Sequence, residues 1–372
     1  MGPLKFPRND PCFCGSGIKF KKCHLNRDSE PVVEHWEVRN HIANHGLPKK
    51  CFHASNDQEH CFGKIIDAHT VSKSGSLRKI SRAGKVFCFG RDIGTLFDNK
   101  GKTALREVGI SQASIFPGFC SFHDKNLFSP FEDKNFEANA KNAFLIGYRA
   151  LCREIYTKEN AKSLLPFMRT MDRGKGSISQ FDLQQYLSDY NLGVDYGLRD
   201  LQVIKRQYDD IFASSDYSTV NYFIIEYDEA PHILYSGAIY PEYDFNGNEL
   251  QDLTSSKIME GVAINAIATQ TGGAVIFQWN GIGDINQRLV GSLYGLAPNS
   301  WASLLTQFAF ETLENLYISP DWWDRLPSPS KNSLEKKVMC GASKTHSKAC
   351  FMDDGSAYAF WDSPKIHTNL KF

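Results

Sequence analysis

Lys50-Cys51-Phe52, then His60-Cys61-Phe62-Gly63-Lys64-Ile65-Ile66-Asp67-Ala68-His69-Thr70, closed much later by Phe119-Cys120-Ser121-Phe122-His123-Asp124, is the stretch on which the reading of this chain turns. It holds two couples of candidate metal ligands, Cys51 with Cys61 and Cys120 with His123. Zinc takes four soft or borderline donors in a tetrahedron, usually thiolates and imidazoles. A Cys-x-x-His step suits the start of a helix, because positions three apart share a face. Between the couples, Ile65 to His69 reads as a short strand. Side chains alternate along a strand, so Asp67 and His69 are expected on the same face.

This arrangement resembles the HNH nuclease family in its zinc-bound treble-clef form. There, a cysteine knuckle precedes a strand with an Asp-His-like element, and a helix opens with two zinc ligands. The resemblance spans roughly residues 51–131. It implies that Cys51, Cys61, Cys120 and His123 hold a structural zinc. It implies His69 as general base on a water, Asp124 as a ligand of a catalytic Mg²⁺ or Mn²⁺, and Asp67 as a second carboxylate ligand. The chain departs from the family in three ways. The first knuckle is Cys-x9-Cys rather than Cys-x2-Cys, Ala68 separates Asp67 from His69, and Asn99 and Asn126 are the candidates for the middle residue.

A second ligand set lies at the N-terminus, in Arg8-Asn9-Asp10-Pro11-Cys12-Phe13-Cys14-Gly15-Ser16-Gly17 and Lys21-Lys22-Cys23-His24. Cys12 and Cys14 form one half of a site, Cys23 and His24 the other. Gly15 and Gly17 allow the tight positive-φ turn between them. The segment is too short for an apolar core, so metal binding would supply its folding energy. These residues strongly resemble the SEC-C zinc motif, found at the C-terminus of the bacterial preprotein translocase ATPase and appended to many unrelated proteins. The resemblance implies a docking module for protein or nucleic-acid partners and identifies no activity.

At 372 residues the chain is long for one core, and several domains are expected. No apolar run approaches the roughly 20 residues needed to span a bilayer. No signal-peptide core is visible, which points to the cytoplasm. The ten cysteines therefore read as metal ligands and core thiols rather than a disulfide framework. Net charge is zero, but residues 1–125 carry 20 Lys and Arg against 12 Asp and Glu. A basic first third suits a polyanion, and charge scatter between domains explains it equally well.

Residues 32–44 read as a helix on which His41 and His45 share a face, most simply a solvated one. Lys85 to Phe89 reads as a strand with Cys88 in the core. Residues 91–114 read as loop with a short helix at 103–108. A helix is expected over 136–156 and continues helically over 159–171, and a long helical stretch over 178–212 is expected to break near 191–193. Strands follow at 221–227, 233–240, 261–269 and 274–279, rich in β-branched and aromatic residues. Asp244-Phe245-Asn246-Gly247-Asn248 mimics a calcium loop, but its glycine suits a turn better. Helices at 284–294 and 300–316 precede Asp321-Trp322-Trp323-Asp324, an aromatic anchor for the sheet. Cys340, His346 and Cys350 offer a weak third ligand set. No Gly-x-Ser-x-Gly elbow, Walker loop or dinucleotide fingerprint occurs.

The expected fold class is α+β: a small zinc module (1–27), a treble-clef ββα zinc domain (28–135), a helical connector (136–215), an antiparallel sheet with helices (216–338), and a tail (339–372). The expected function is a zinc-containing, metal-dependent endonuclease. The alternative is a non-catalytic zinc protein that docks nucleic acid or protein and senses a trigger through its C-terminal half. Nucleic acid is the expected partner. A protein partner on the N-terminal module and a homo-oligomer are compatible with the sequence, and no membrane contact is expected. The combination of modules looks like bacterial antiviral machinery, an analogy of architecture alone.

Overall fold

The computed structural model describes residues 6–47, 49–54, 61, 63–132, 136–341 and 348–372. The elements run α1 (His35–Asn44), β1 (Ile65–His69), α2 (Arg78–Ile80), β2 (Lys85–Gly90), α3 (Ile93–Asp98), β3 (Ala104–Gly109), β4 (Ile115–Cys120), α4 (Ser121–Glu132), α5 (Ala140–Met168), α6 (Ser177–Ser214), β5 (Val220–Tyr227) and β6 (Ile233–Ile239). They continue as β7 (Val262–Ala268), β8 (Gly273–Asn280), α7 (Ile285–Tyr294), α8 (Pro298–Thr312), β9 (Leu316–Ile318), α9 (Pro320–Arg325), α10 (Ser328–Cys340) and β10 (Lys365–Thr368). The fold is α+β with two antiparallel sheets, as the sequence led us to expect.

Two compact units divide the chain. One comprises residues 1–48, 92–101 and 157–199; the other comprises 49–91, 102–156 and 200–372. Two of the boundaries fall inside α5 and α6, so both helices contribute residues to each unit.

The second unit is built on an eight-stranded sheet in the order β10-β5-β8-β7-β6-β9-β2-β3. Its central strands are apolar on both sides because both faces are covered. Phe223, Ile225 and Tyr227 of β5 enter the main core with α7, α8 and the Trp322–Trp323 pair, while Ile224 meets Ala143 and Ile146 of α5 on the other face. Helix α8 is buried nearly all round, from Trp301 to Glu311. Such a helix belongs inside a core. Strand β3 closes one edge, with Arg106 and Glu107 exposed along it. Charges on an edge discourage pairing with another chain.

Residues 103–108 are the clearest correction to the sequence reading. Ala104, Leu105, Arg106 and Glu107 favour helix intrinsically, yet they form a strand paired with β2 from Lys85↔Gly109 to Gly90↔Ala104. The ladder partner, absent from local sequence, overrides propensity. Helix α6 runs through Asn191 and Gly193 without the expected break, whereas α5 runs on across residues 157–158, in line with the helical continuation expected there. The Asp244 loop is a turn: Asp244 Oδ1 accepts the N–H groups of Asn246 (2.9 Å) and Asn248 (2.8 Å). Cys88 is buried in a small core with Val86, Leu234 and Tyr317.

Candidate metal centres

The N-terminal cluster is assembled by a loop whose turns need glycine. Gly15 and Gly17 have φ of 74° and 72°, left-handed values that side chains rarely tolerate. The loop returns Cys23 and His24 to Cys12 and Cys14. Cys14 Sγ lies 3.6 Å from Cys23 Sγ, and His24 Nδ1 lies 3.1 Å from both Cys12 Sγ and Cys23 Sγ. Zn–S bonds of about 2.3 Å at tetrahedral angles put sulfurs about 3.8 Å apart, so these spacings suit one ion. Burial pushes the Cys12 thiol up to about 12. Burial raises Cys14 as well, but hydrogen bonding with Ser16, whose hydroxyl lies 3.2 Å from the sulfur, together with hydrogen bonds to Cys12 and Cys23, outweighs it and leaves Cys14 at about 7. A thiol that low supplies a thiolate readily, and a bound cation draws the others to thiolate.

The chain supports this cluster from residues far away in sequence. Asp172, fully buried, accepts a hydrogen bond from His24 Nε2 at 2.8 Å. Its carboxylate also receives Arg27 Nε at 2.5 Å and Gln184 Nε2 at 2.6 Å. Arg169 donates to the Cys14 carbonyl at 3.1 Å. Phe181 packs its ring against Phe6 and Phe13. In the sequence alone, residues 171–177 show only a polar break between helices.

The second cluster unites the two couples that are distant in sequence. Strand β1 pairs with β4 from Ile65↔Cys120 to His69↔Ile115, and α4 starts at the residue after Cys120. That ββα unit delivers Cys120 and His123, and Cys51 and Cys61, which precede β1 in the chain, supply the other two ligands. His123 Nδ1 lies 3.2 Å from Cys120 Sγ and 3.4 Å from Cys51 Sγ. The four ligand atoms, Cys61 Sγ included, lie within 4.8 Å of one another. Backbone N–H groups of Cys120 and His123 approach the sulfurs of Cys51 (3.5 Å) and Cys120 (3.4 Å), supporting their negative charge. His53 stacks on His123 with ring centres 4.0 Å apart. Burial raises Cys51, and raises Cys61 to about 12. Both clusters fit zinc in donor type and number; each has three thiols and one imidazole.

Among the described residues, these are the two groups of three or more Cys, His, Asp or Glu side chains close enough for one ion, and Asp67, His69 and Asp124 belong to neither. Asp67 is exposed on β1, Ala68 is buried, and His69 is half-buried, as alternation requires. His69 Nε2 lies 3.1 Å from the Ile110 carbonyl oxygen. A carbonyl can only accept, so Nε2 carries the proton and Nδ1 is the basic nitrogen. Asp124, one residue past His123, forms an ion pair of 3.5 Å with the buried Arg149, whose guanidinium lies over the Phe128 ring. His41 stacks on Phe167 at 3.9 Å and His45 bonds Ser163 at 2.7 Å, so this pair is not simply a solvated face. Cys350 is buried in the main core, Cys340 is exposed, and His346 lies outside the described residues.

Residues 8–26 match the SEC-C motif model. The match covers Cys12, Cys14, Cys23 and His24, the first cluster described above. No curated protein and no solved structure matches the chain. Among the described residues, no helix is long and apolar enough to cross a membrane.

Proposed function

We propose that this chain is a zinc-stabilised, metal-dependent endonuclease whose reactive group is His69. One observation carries the reading. A ββα unit tied to a four-ligand cluster holds a histidine whose Nε2 proton is directed to the Ile110 carbonyl, with the exposed Asp67 two residues before it on the same strand. His69 Nδ1 would take a proton from water as that water attacks a phosphodiester phosphorus and a P–O bond breaks. Mg²⁺ or Mn²⁺ would be held by Asp67 and Asp124 and would offset charge developing on the phosphate. Asp67 suits this role as an exposed carboxylate; Asp124 would have to give up or share Arg149. The zinc ions are structural in this reading, and basic residues such as Lys73, Arg78 and Lys79 downstream of His69 would contact the phosphate backbone.

The pairing of Asp124 with Arg149 favours a second reading, a zinc protein that binds nucleic acid or a protein without cutting. Plasmid nicking with Mg²⁺ or Mn²⁺ separates the two. His69→Ala should cut slower by about 10²- to 10⁴-fold, the usual worth of a general base. Equal cutting by both proteins, or none by either alongside retained binding of a labelled duplex, would leave the binding reading.

A further inference from the structure

The N-terminal cluster is completed by a residue that the ligand motif does not contain. We propose that Asp172 is the outer-shell partner of its metal ion, a positioning residue that makes the elbow between α5 and α6 part of the zinc site. This rests on zinc occupying the cluster of Cys12, Cys14, Cys23 and His24.

The geometry assigns each nitrogen of His24 one task. Nδ1 faces Cys12 and Cys23 at 3.1 Å, the ligand side. Nε2 faces Asp172 Oδ2 at 2.8 Å. A carboxylate accepts only, so the proton sits on Nε2 and Nδ1 is left as the nitrogen that ligates. A carboxylate behind a ligating imidazole fixes the ring and makes it a stronger donor; losing such a partner typically weakens metal binding by about 10- to 100-fold. Asp172 is itself over-determined. Arg27 Nε and Gln184 Nε2 hold its two oxygens, Arg27 also bonds the Arg169 carbonyl, and Gln184 donates to that carbonyl at 2.9 Å. Arg169 closes the circuit, donating to the Cys14 carbonyl and to Gln184 Oε1 at 2.8 Å. A fully buried carboxylate is costly unless its lone pairs are used. Here, one of its three partners is the metal-ligating ring.

Two consequences follow. Metal affinity at the N-terminal cluster depends on a residue 148 positions beyond His24. Conversely, order from Arg169 to Gln184, the elbow and the first turns of α6, depends on the cluster being intact. In this chain the module is therefore built into the helical unit that contains it.

The test uses the full chain. Zinc affinity at the N-terminal cluster is measured by competition with a chromophoric chelator in a Cys120→Ser background, which disables the second cluster. Asp172→Asn keeps the size but removes the charge, and should weaken binding about 10- to 100-fold. Lys162→Ala, which removes an exposed ion pair with Asp195 in the same unit, should leave zinc affinity within about twofold of the parent. Affinity for Asp172→Asn equal to that of the parent would overturn the proposal. A second measurement does not require Asp172→Asn to fold. In Cys12→Ser, amides of 169–184 should exchange with deuterium faster than in the parent chain, while those of β7 and β8 keep their protection. Unchanged exchange in 169–184 would also overturn it. A parent chain that takes up no zinc at this cluster would instead refute the zinc reading itself.

Discussion

Tyr148→Phe is the substitution that most cleanly probes how the second cluster is held. Tyr148 sits on α5, fully buried, and its hydroxyl donates to the Phe52 carbonyl at 2.6 Å. Phe52 follows the ligand Cys51 and is anchored on its other side by its own N–H, 2.9 Å from the Gly118 carbonyl. Burial holds the phenol well above its ordinary pKa, so it is a neutral donor at any working pH. Phenylalanine preserves the ring and its contacts with Phe144 and Phe212. What it removes is the one hydroxyl, which strands a buried carbonyl. Leaving such an acceptor unmatched costs about 1–3 kcal/mol, and the lower half of that range applies because no cavity opens in the ring layer. A loss of about 1.4 kcal/mol in ordering the Cys51 loop equals roughly tenfold in metal affinity. The assay is chelator competition in a Cys12→Ser background, paired with urea unfolding of the same proteins. The account expects roughly tenfold weaker zinc and about 1–2 kcal/mol lower stability. Affinity within about twofold of the parent, with stability changed by less than about 0.3 kcal/mol, would refute the reasoning.

Gly118→Ala should destabilise the two-stranded β1–β4 sheet by about 1–3 kcal/mol in urea titration, because a Cβ there would lie 2.0 Å from Phe116 Cε2. Phe308→Ala should cost about 3–5 kcal/mol, since this ring is fully buried between Phe245 and Phe351. Glu311 offers a pH signature. Burial raises its carboxyl, with Asp354 adding to the shift and Lys337 opposing it. The folded state therefore holds this proton more tightly than the unfolded chain, so its contribution turns unfavourable as pH rises from the unfolded value through the folded one. Glu311→Gln should then melt higher than the parent at neutral pH, with the difference fading as pH falls to about 4.

The sequence revealed what is local. The N-terminal ligands lie within a dozen or so positions, and their glycines announce the turn, so the cluster could be read whole. The strands at 220–227 and 273–280 stand out because both faces of that sheet are covered and the residues run apolar. Asp172 was invisible for the opposite reason. It sits in a polar break between helices, and its partner His24 lies at the other end of the first unit's sequence. Strand β2 was legible as a strand, but its place beside β9 was not, because Phe87 meets Ile318 across most of the chain length. In the second cluster, Cys120-x-x-His123 carries helix spacing, whereas the tie to Cys51 and Cys61 came only through a family resemblance. His69 and Asp67 were legible as a strand pair; the Ile110 carbonyl that sets the His69 tautomer was not, since it comes from the turn after β3.

Everything proposed for this chain requires two separate four-ligand clusters, each closing on an ion. Native mass spectrometry of the full chain and of its Cys12→Ser and Cys120→Ser variants tests that directly. The account predicts two zinc ions on the parent and one on each variant, with the second cluster surviving loss of the first and the first surviving loss of the second. A parent chain carrying fewer than two zinc ions, or a variant that retains both, would contradict it.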